Sequence, residues 1–161
     1  MRRTPLFLLA LLAFLSIAAT APASGARRSG VRLTSTETSV LKEMNRVRVE
    51  NGLAALRLAS ALQRAARWQS AEMLRTGTFA HGDFSGRMRR FGIRTPFAGE
   101  NLAWGVGPSG TAAQLVAAWL ASPGHRANLL RPGFKLVGVG ASIGTFAGYG
   151  GAVLVTTDFA A

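Results

Sequence analysis

The chain has no cysteine, yet it opens like an exported protein, and this pairing constrains its fold more than any other feature. "MRR" is a basic start, "LFLLALLAFLSIAA" an apolar stretch, and Ala21-Pro22-Ala23 puts small residues where a signal peptidase reads. The apolar run from Leu6 to Ala19 is 14 residues, short of the roughly 20 that span a bilayer. Residues 1–23 are therefore expected to be a cleaved signal peptide, and the product to be secreted or extracytoplasmic, not transmembrane after cleavage, and monomeric. Small exported domains often lean on disulfides; without them, packing alone must hold this one. The remaining length suffices for one core that buries roughly two thirds of its unfolded surface.

Residues 24–33, "SGARRSGVRL", read as a basic linker, and residues 34–161 as one domain. Thr34-x-x-Glu37 is a capping box followed by Val40, Met44 and Val47 at helical spacing, stopped near Gly52. Leu62, Ala65, Ala66, Gln69 and Met73 mark a second helix over Ser60 to Thr76, whose small residues allow close packing, with Gly77 as its end. "SGRMRRFGI" can form only a short helix or turn, and Pro96 to Trp104 has the length of a strand. Ala112, Leu115, Val116, Trp119 and Leu120 share a helix face, and Ser122-Pro123 starts another short helix, with serine at the cap. "FKLVGVGASIG" and "GAVLVTTDF" read as paired strands joined through the glycines around Tyr149. Helices first and paired strands last predict an α+β class in which helices cover an antiparallel sheet.

Nineteen Lys and Arg against seven Asp and Glu give a formal charge of +12, which favours anionic cell-envelope polymers or lipids as partners. The densest basic surface is expected at Arg87, Arg89, Arg90 and Arg94. Apart from Phe91 it lacks interleaved aromatics, so no nucleic acid is expected; the plainer alternative is a charged, soluble surface. Two well-known patterns occur by letter only. Gly105-x-Gly107-x-x-Gly110 lacks an acid about 20 residues on to take a ribose hydroxyl. Gly140-x-Ser142-x-Gly144 continues toward another strand with no histidine after it, unlike a nucleophile elbow.

What remains is "FAHGDF" with His81, "AGEN" with Glu100 and "SPGHRANLL" with His125, the only two histidines and one acid. In this order, together with "VGVG" and the closing "TTDF", they resemble the CAP superfamily, or SCP domain, of cysteine-rich secretory, antigen 5 and pathogenesis-related proteins, in its cysteine-free bacterial branch. The resemblance implies a three-layer α-β-α sandwich with a small central sheet and a cleft lined by His81, Glu100, Ser122 and His125. Ser122 stands where the family usually carries a second glutamate, so the full set of two acids and two histidines is incomplete.

His125, in the first turn of a helix, is expected to stay neutral near pH 7 because the positive end of the macrodipole disfavours an imidazolium. Neutral imidazoles can ligate a divalent metal such as zinc, so His81 and His125 are candidate metal ligands, with Glu100 as a third ligand or as the orienter of one imidazole. The alternative is a polar network in which the three side chains merely satisfy one another. Three functions stay open: a ligand- or surface-binding module at the cell envelope; a metal-dependent hydrolase, a peptidase for instance, with Glu100 as its candidate catalytic residue; and a wall-adhesion protein acting by charge.

Overall fold

A computed structural model describes residues 32–161; the signal peptide expected over 1–23 and most of the linker over 24–33 lie outside them. Helix α1 (Ser35–Glu50) starts at Thr34 with the full reciprocal capping box to Glu37. A two-residue strand β1 (Arg57–Leu58) leads into α2 (Ser60–Thr76), which ends on Gly77 in the left-handed conformation. Asp83 caps the short α3 (Phe84–Arg90) through the Gly86 N–H. Strand β2 (Ala98–Gly105), a 3-10 turn (Gly107–Gly110), α4 (Ala112–Ala121) and α5 (Pro123–Leu129) follow. The chain closes with the hairpin of β3 (Leu136–Phe146) and β4 (Tyr149–Ala160).

The sheet order is β1-β3-β4-β2. β2 and β3 flank β4 antiparallel, while β1 adds to β3 in parallel. The sheet is therefore mixed, because a strand too short to show alternation in the sequence attaches at its edge. The long pair continues past "GASIG" into a turn at Ala147-Gly148. No strand turns into a helix there, and Gly140-x-Ser142-x-Gly144 is strand interior.

Helices lie on both faces, giving the three layers. On one face Val137, Val139, Val155 and Phe159 pack with Val40 and Met44 of α1 and Leu115, Val116 and Trp119 of α4. On the other, α2 lies against β3 and β4, with Leu62, Ala65 and Met73 buried. Its approach is set by Gly138 and Gly140: a Cβ on either would collide with the main chain of Leu62 or Ala66. At the bottom of this contact Ser70 Oγ donates to the Gly140 carbonyl at 3.0 Å and bonds Thr156 Oγ1 at 2.9 Å. The even-numbered residues of β2 and β4, Glu100 and Asp158 among them, share the α2 face, since strand side chains alternate.

Candidate functional site

The site is built around β2, an edge strand. On its α2 side, the segment between Gly77 and Asp83 carries His81 toward Glu100, and the His81 Nδ1 to Glu100 Oε1 distance is 2.6 Å. The other carboxylate oxygen, Oε2, accepts from Arg87 Nη2, and the same nitrogen reaches Asp158 Oδ1 at 3.3 Å. Arg87 Nη1 donates to Gln69 Oε1 at 2.6 Å and to the His81 carbonyl at 3.1 Å. Gln69 Nε2 then holds the Ala80 carbonyl at 2.6 Å. One guanidinium thus fixes both the carboxylate that orients His81 and the backbone on which His81 rides.

Two carboxyls share this one cation. Glu100 and Asp158 are register partners across β2 and β4, and both are buried. Burial pushes Glu100 up to about 7 despite the attraction of Arg87. Asp158 is raised well above the usual carboxylate range, by burial and then by the charge of Glu100. Two like charges this close disfavour joint ionisation, and the pair titrates as a unit. Arg87 Nε and Asp158 Oδ2 are buried without a hydrogen-bond partner.

On the opposite side of β2, the two sequence motifs interlock. Asn101 Nδ2 donates to the His125 carbonyl at 2.9 Å, while Asn128 Nδ2 bonds the Glu100 carbonyl and Asn101 Oδ1, each at 3.1 Å. Gly99 makes room for this, since a Cβ there would meet Asn128 Oδ1 at 2.8 Å. Trp119 Nε1 donates to the Leu102 carbonyl at 2.8 Å. Side chains therefore occupy the Glu100 and Leu102 carbonyls, which also protects the edge from pairing with another strand.

Ser122 occupies the cap position of α5, but its hydroxyl makes no capping bond. This corrects the expected role of the serine. His125 is held below its usual range, first by burial and then by the charge of His81. The expected direction holds, with desolvation rather than a serine-capped helix terminus as the leading cause. Ser122 and His125 line a cleft of about 510 Å³ walled by Phe79, Leu102, Trp104, Leu115 and Trp119. His81 and Glu100 are not among the lining residues of this cavity; they form the adjoining polar cluster, with His81 exposed and Glu100 buried behind it.

Arg87 does not belong to the basic surface. Its side chain is 2% exposed, whereas Arg89, Arg90 and Arg94 are exposed. Helix α3 directs one arginine inward because two buried carboxyls await it. Sequence reasoning missed this role, together with Asp158, Gln69, Asn101 and Asn128. An acid within the apolar run "VLVTTDF" was the available signal for Asp158.

A zinc site calls for three or four N, O or S donors. Among the described residues no three His, Cys, Asp or Glu side chains gather as a group that could hold a metal ion. Both Glu100 oxygens are engaged, one by a guanidinium that would repel a cation. The residues do not fit a metal with Glu100 as its third ligand, and Glu100 is placed instead to orient His81.

A family model, that of the cysteine-rich secretory protein family, CAP, matches residues 41–159, a span that includes both the "GEN" and the "SPGHRAN" segments. The chain belongs to the CAP family. This CAP domain is 37% identical over 109 residues to YkwD of Bacillus subtilis, a protein described as uncharacterised, covering 65% of this chain and 41% of that one. Its fold is similar to an extracellular SCP-domain protein of Bacillus anthracis, with TM-score 0.64, 26% identity and coverage of 76% of this chain and 39% of the other. It is also similar to an outer surface protein of Borrelia burgdorferi, with TM-score 0.67, 18% identity and coverage of 80% and 94%. The CAP domain thus spans about two fifths of the two Bacillus proteins. No helix among the described residues is long and apolar enough to cross a membrane.

Proposed function

We propose that this CAP protein acts outside the cytoplasm, at the cell envelope, as a binding module whose cleft takes a small amphipathic ligand. The observation that carries the reading is the composition of the cleft: about 510 Å³, in which Phe79, Trp104, Trp119 and two leucines share the lining with Ser109, Gln114, Ser122 and His125. Pockets that bind small molecules combine mostly apolar walls with a few placed polar groups. An extracytoplasmic place is supported by the extracellular and outer-surface descriptions of its structural neighbours and by the signal-like start of the sequence.

The pairing of His81 with Glu100 favours a second reading, hydrolysis, because a carboxylate orienting an imidazole is half of a general-base arrangement. Neither the His81 nor the Glu100 side chain bonds a serine or threonine hydroxyl among the described residues, and Ser122 takes the place of the family's usual second acid. Binding is therefore the reading preferred here.

The test uses 8-anilinonaphthalene-1-sulfonate, an amphipathic aromatic anion small enough for the cleft. Saturable binding at one site per chain is expected, and Ala118→Trp, which fills the cleft from an exposed position of α4, should abolish it. Undiminished binding by a folded Ala118→Trp variant would refute the cleft as the ligand site.

A further inference from the structure

A second surface lies away from the cleft, at the end of the sheet where β1, β3 and β2 begin and β4 finishes. Main-chain bonds align it in a row: Arg57 N–H to the Lys135 carbonyl at 2.9 Å, Lys135 N–H to Ala160 at 2.9 Å and Ala161 N–H to Phe97 at 3.3 Å. Arg57, Lys135 and Phe97 are exposed, Phe97 by 59%. Beside Phe97, α3 and the segment leading to β2 frame a groove of about 420 Å³ lined by Phe84, Met88 and Ile93, with Arg89 and Arg94 in the same lining.

No acidic side chain among the described residues pairs with these cations. Of the chain's seven acidic side chains, Glu37 pairs with Arg67, Glu43 and Glu50 with Arg46, Glu72 with Arg75, and Glu100 and Asp158 with Arg87. Asp83 caps α3. Arg57, Arg89, Arg94 and Lys135 form no ion pair among the described residues, and no carboxylate lines the groove. Exposed cations around a protruding aromatic ring and an apolar groove are the chemistry of an anionic bilayer surface, where headgroup phosphates meet the edge of the acyl region. A soluble polyanion would use the charges and leave Phe97 and the groove without a role.

We propose that this end of the sheet docks the protein on anionic lipid bilayers, with Arg89 and Arg94 on headgroup phosphates and Phe97 entering the interface. Docking is independent of what the cleft binds, and the two surfaces let one domain hold a ligand while resting on a membrane.

The exported protein, with the N-terminus its processing leaves, would be sedimented with vesicles of phosphatidylcholine alone or with added phosphatidylglycerol. Binding is expected only with phosphatidylglycerol and should weaken as salt rises, since exposed charges are screened over about 10 Å at 0.1 M. One basic side chain near such a surface is worth roughly fivefold in partitioning, so Arg89→Glu/Arg94→Glu should weaken binding by more than about 20-fold. Phe97→Ser should weaken it several-fold at unchanged charge. Lys42→Glu/Arg64→Glu, a reversal of two other exposed cations, controls for net charge, and Ala118→Trp should leave vesicle binding intact even where it abolishes cleft binding. Equal binding to both vesicle types, an equal loss in the charge control, or binding to vesicles and soluble polyphosphate that is alike and indifferent to Phe97→Ser would overturn the proposal.

Discussion

Glu100 of β2 stands directly opposite Asp158 of β4, and one nitrogen of Arg87 contacts both carboxyls. A buried pair of acids is tolerable only with a cation and a shared proton between them, so the position of His81 depends on an arginine 71 positions earlier in the chain than Asp158. Arg87→Met should cost on the order of 3–5 kcal/mol, the range for stripping a buried charge of its partner. Adding Glu100→Gln and Asp158→Asn should recover much of this. Urea unfolding measures both effects, and a loss below about 1 kcal/mol for Arg87→Met would mean that the cluster does not need its cation.

The same cluster sets a pH dependence. Glu100 binds its proton up to about 7 in the folded protein, against an ordinary value of 4.5. Between those values the folded state holds more protons than the unfolded chain, so this contribution to stability is complete below 4.5 and is lost as pH rises through 7. Its size is on the order of 3 kcal/mol. His125, held below its usual 6.5, acts in the opposite sense: its contribution is present above 6.5 and is lost as pH falls. Asp158, also raised by burial, contributes in the same sense as Glu100. Glu100→Gln should therefore reduce the decline in the urea midpoint between pH 4.5 and 7 and Glu100→Gln/Asp158→Asn should remove it, whereas an unchanged decline in the double variant would assign it to another group.

Packing of α2 on the sheet predicts a sharp contrast between two glycines. Gly140→Ala drives a methyl group into the main chain of Ala66 and Arg67 and should cost about 2 kcal/mol or more, at the upper end of overpacking effects. At Gly150 in the hairpin a Cβ meets nothing within 4 Å, and Gly150→Ala should stay within about 0.5 kcal/mol of the parent. Thermal unfolding of the two variants compares them directly.

Much of the fold was legible because each long element carries its own local signal. Thr34 and Glu37 spell a capping box that the structure forms in full, and Leu62 to Met73 repeat at the spacing of the face that α2 buries. β1 was not legible, since two residues hold no period and pair only through β3. In the site, "FAHGDF" and "AGEN" marked two residues that the fold brings together, His81 and Glu100. The inward turn of Arg87 was hidden: it follows from Asp158, which is 71 positions later in the chain, and nothing in "SGRMRRFGI" separates it from Arg89 and Arg90. Likewise the serine-proline pair marked the start of α5 correctly but said nothing about where the Ser122 hydroxyl points.

In the proposed cleft His125 would meet the ligand, while His81 lies outside the lining, held by Glu100 through Nδ1. Long-range ¹⁵N–¹H spectra of the two imidazoles at pH 7.5, recorded while 8-anilinonaphthalene-1-sulfonate is added, test this most directly. The prediction is a His81 ring that carries a proton on Nδ1, facing Glu100, and a His125 resonance that shifts and saturates at one probe per chain. A His81 ring protonated at Nε2 alone, or a His125 signal that stays fixed while the probe binds elsewhere, would contradict it.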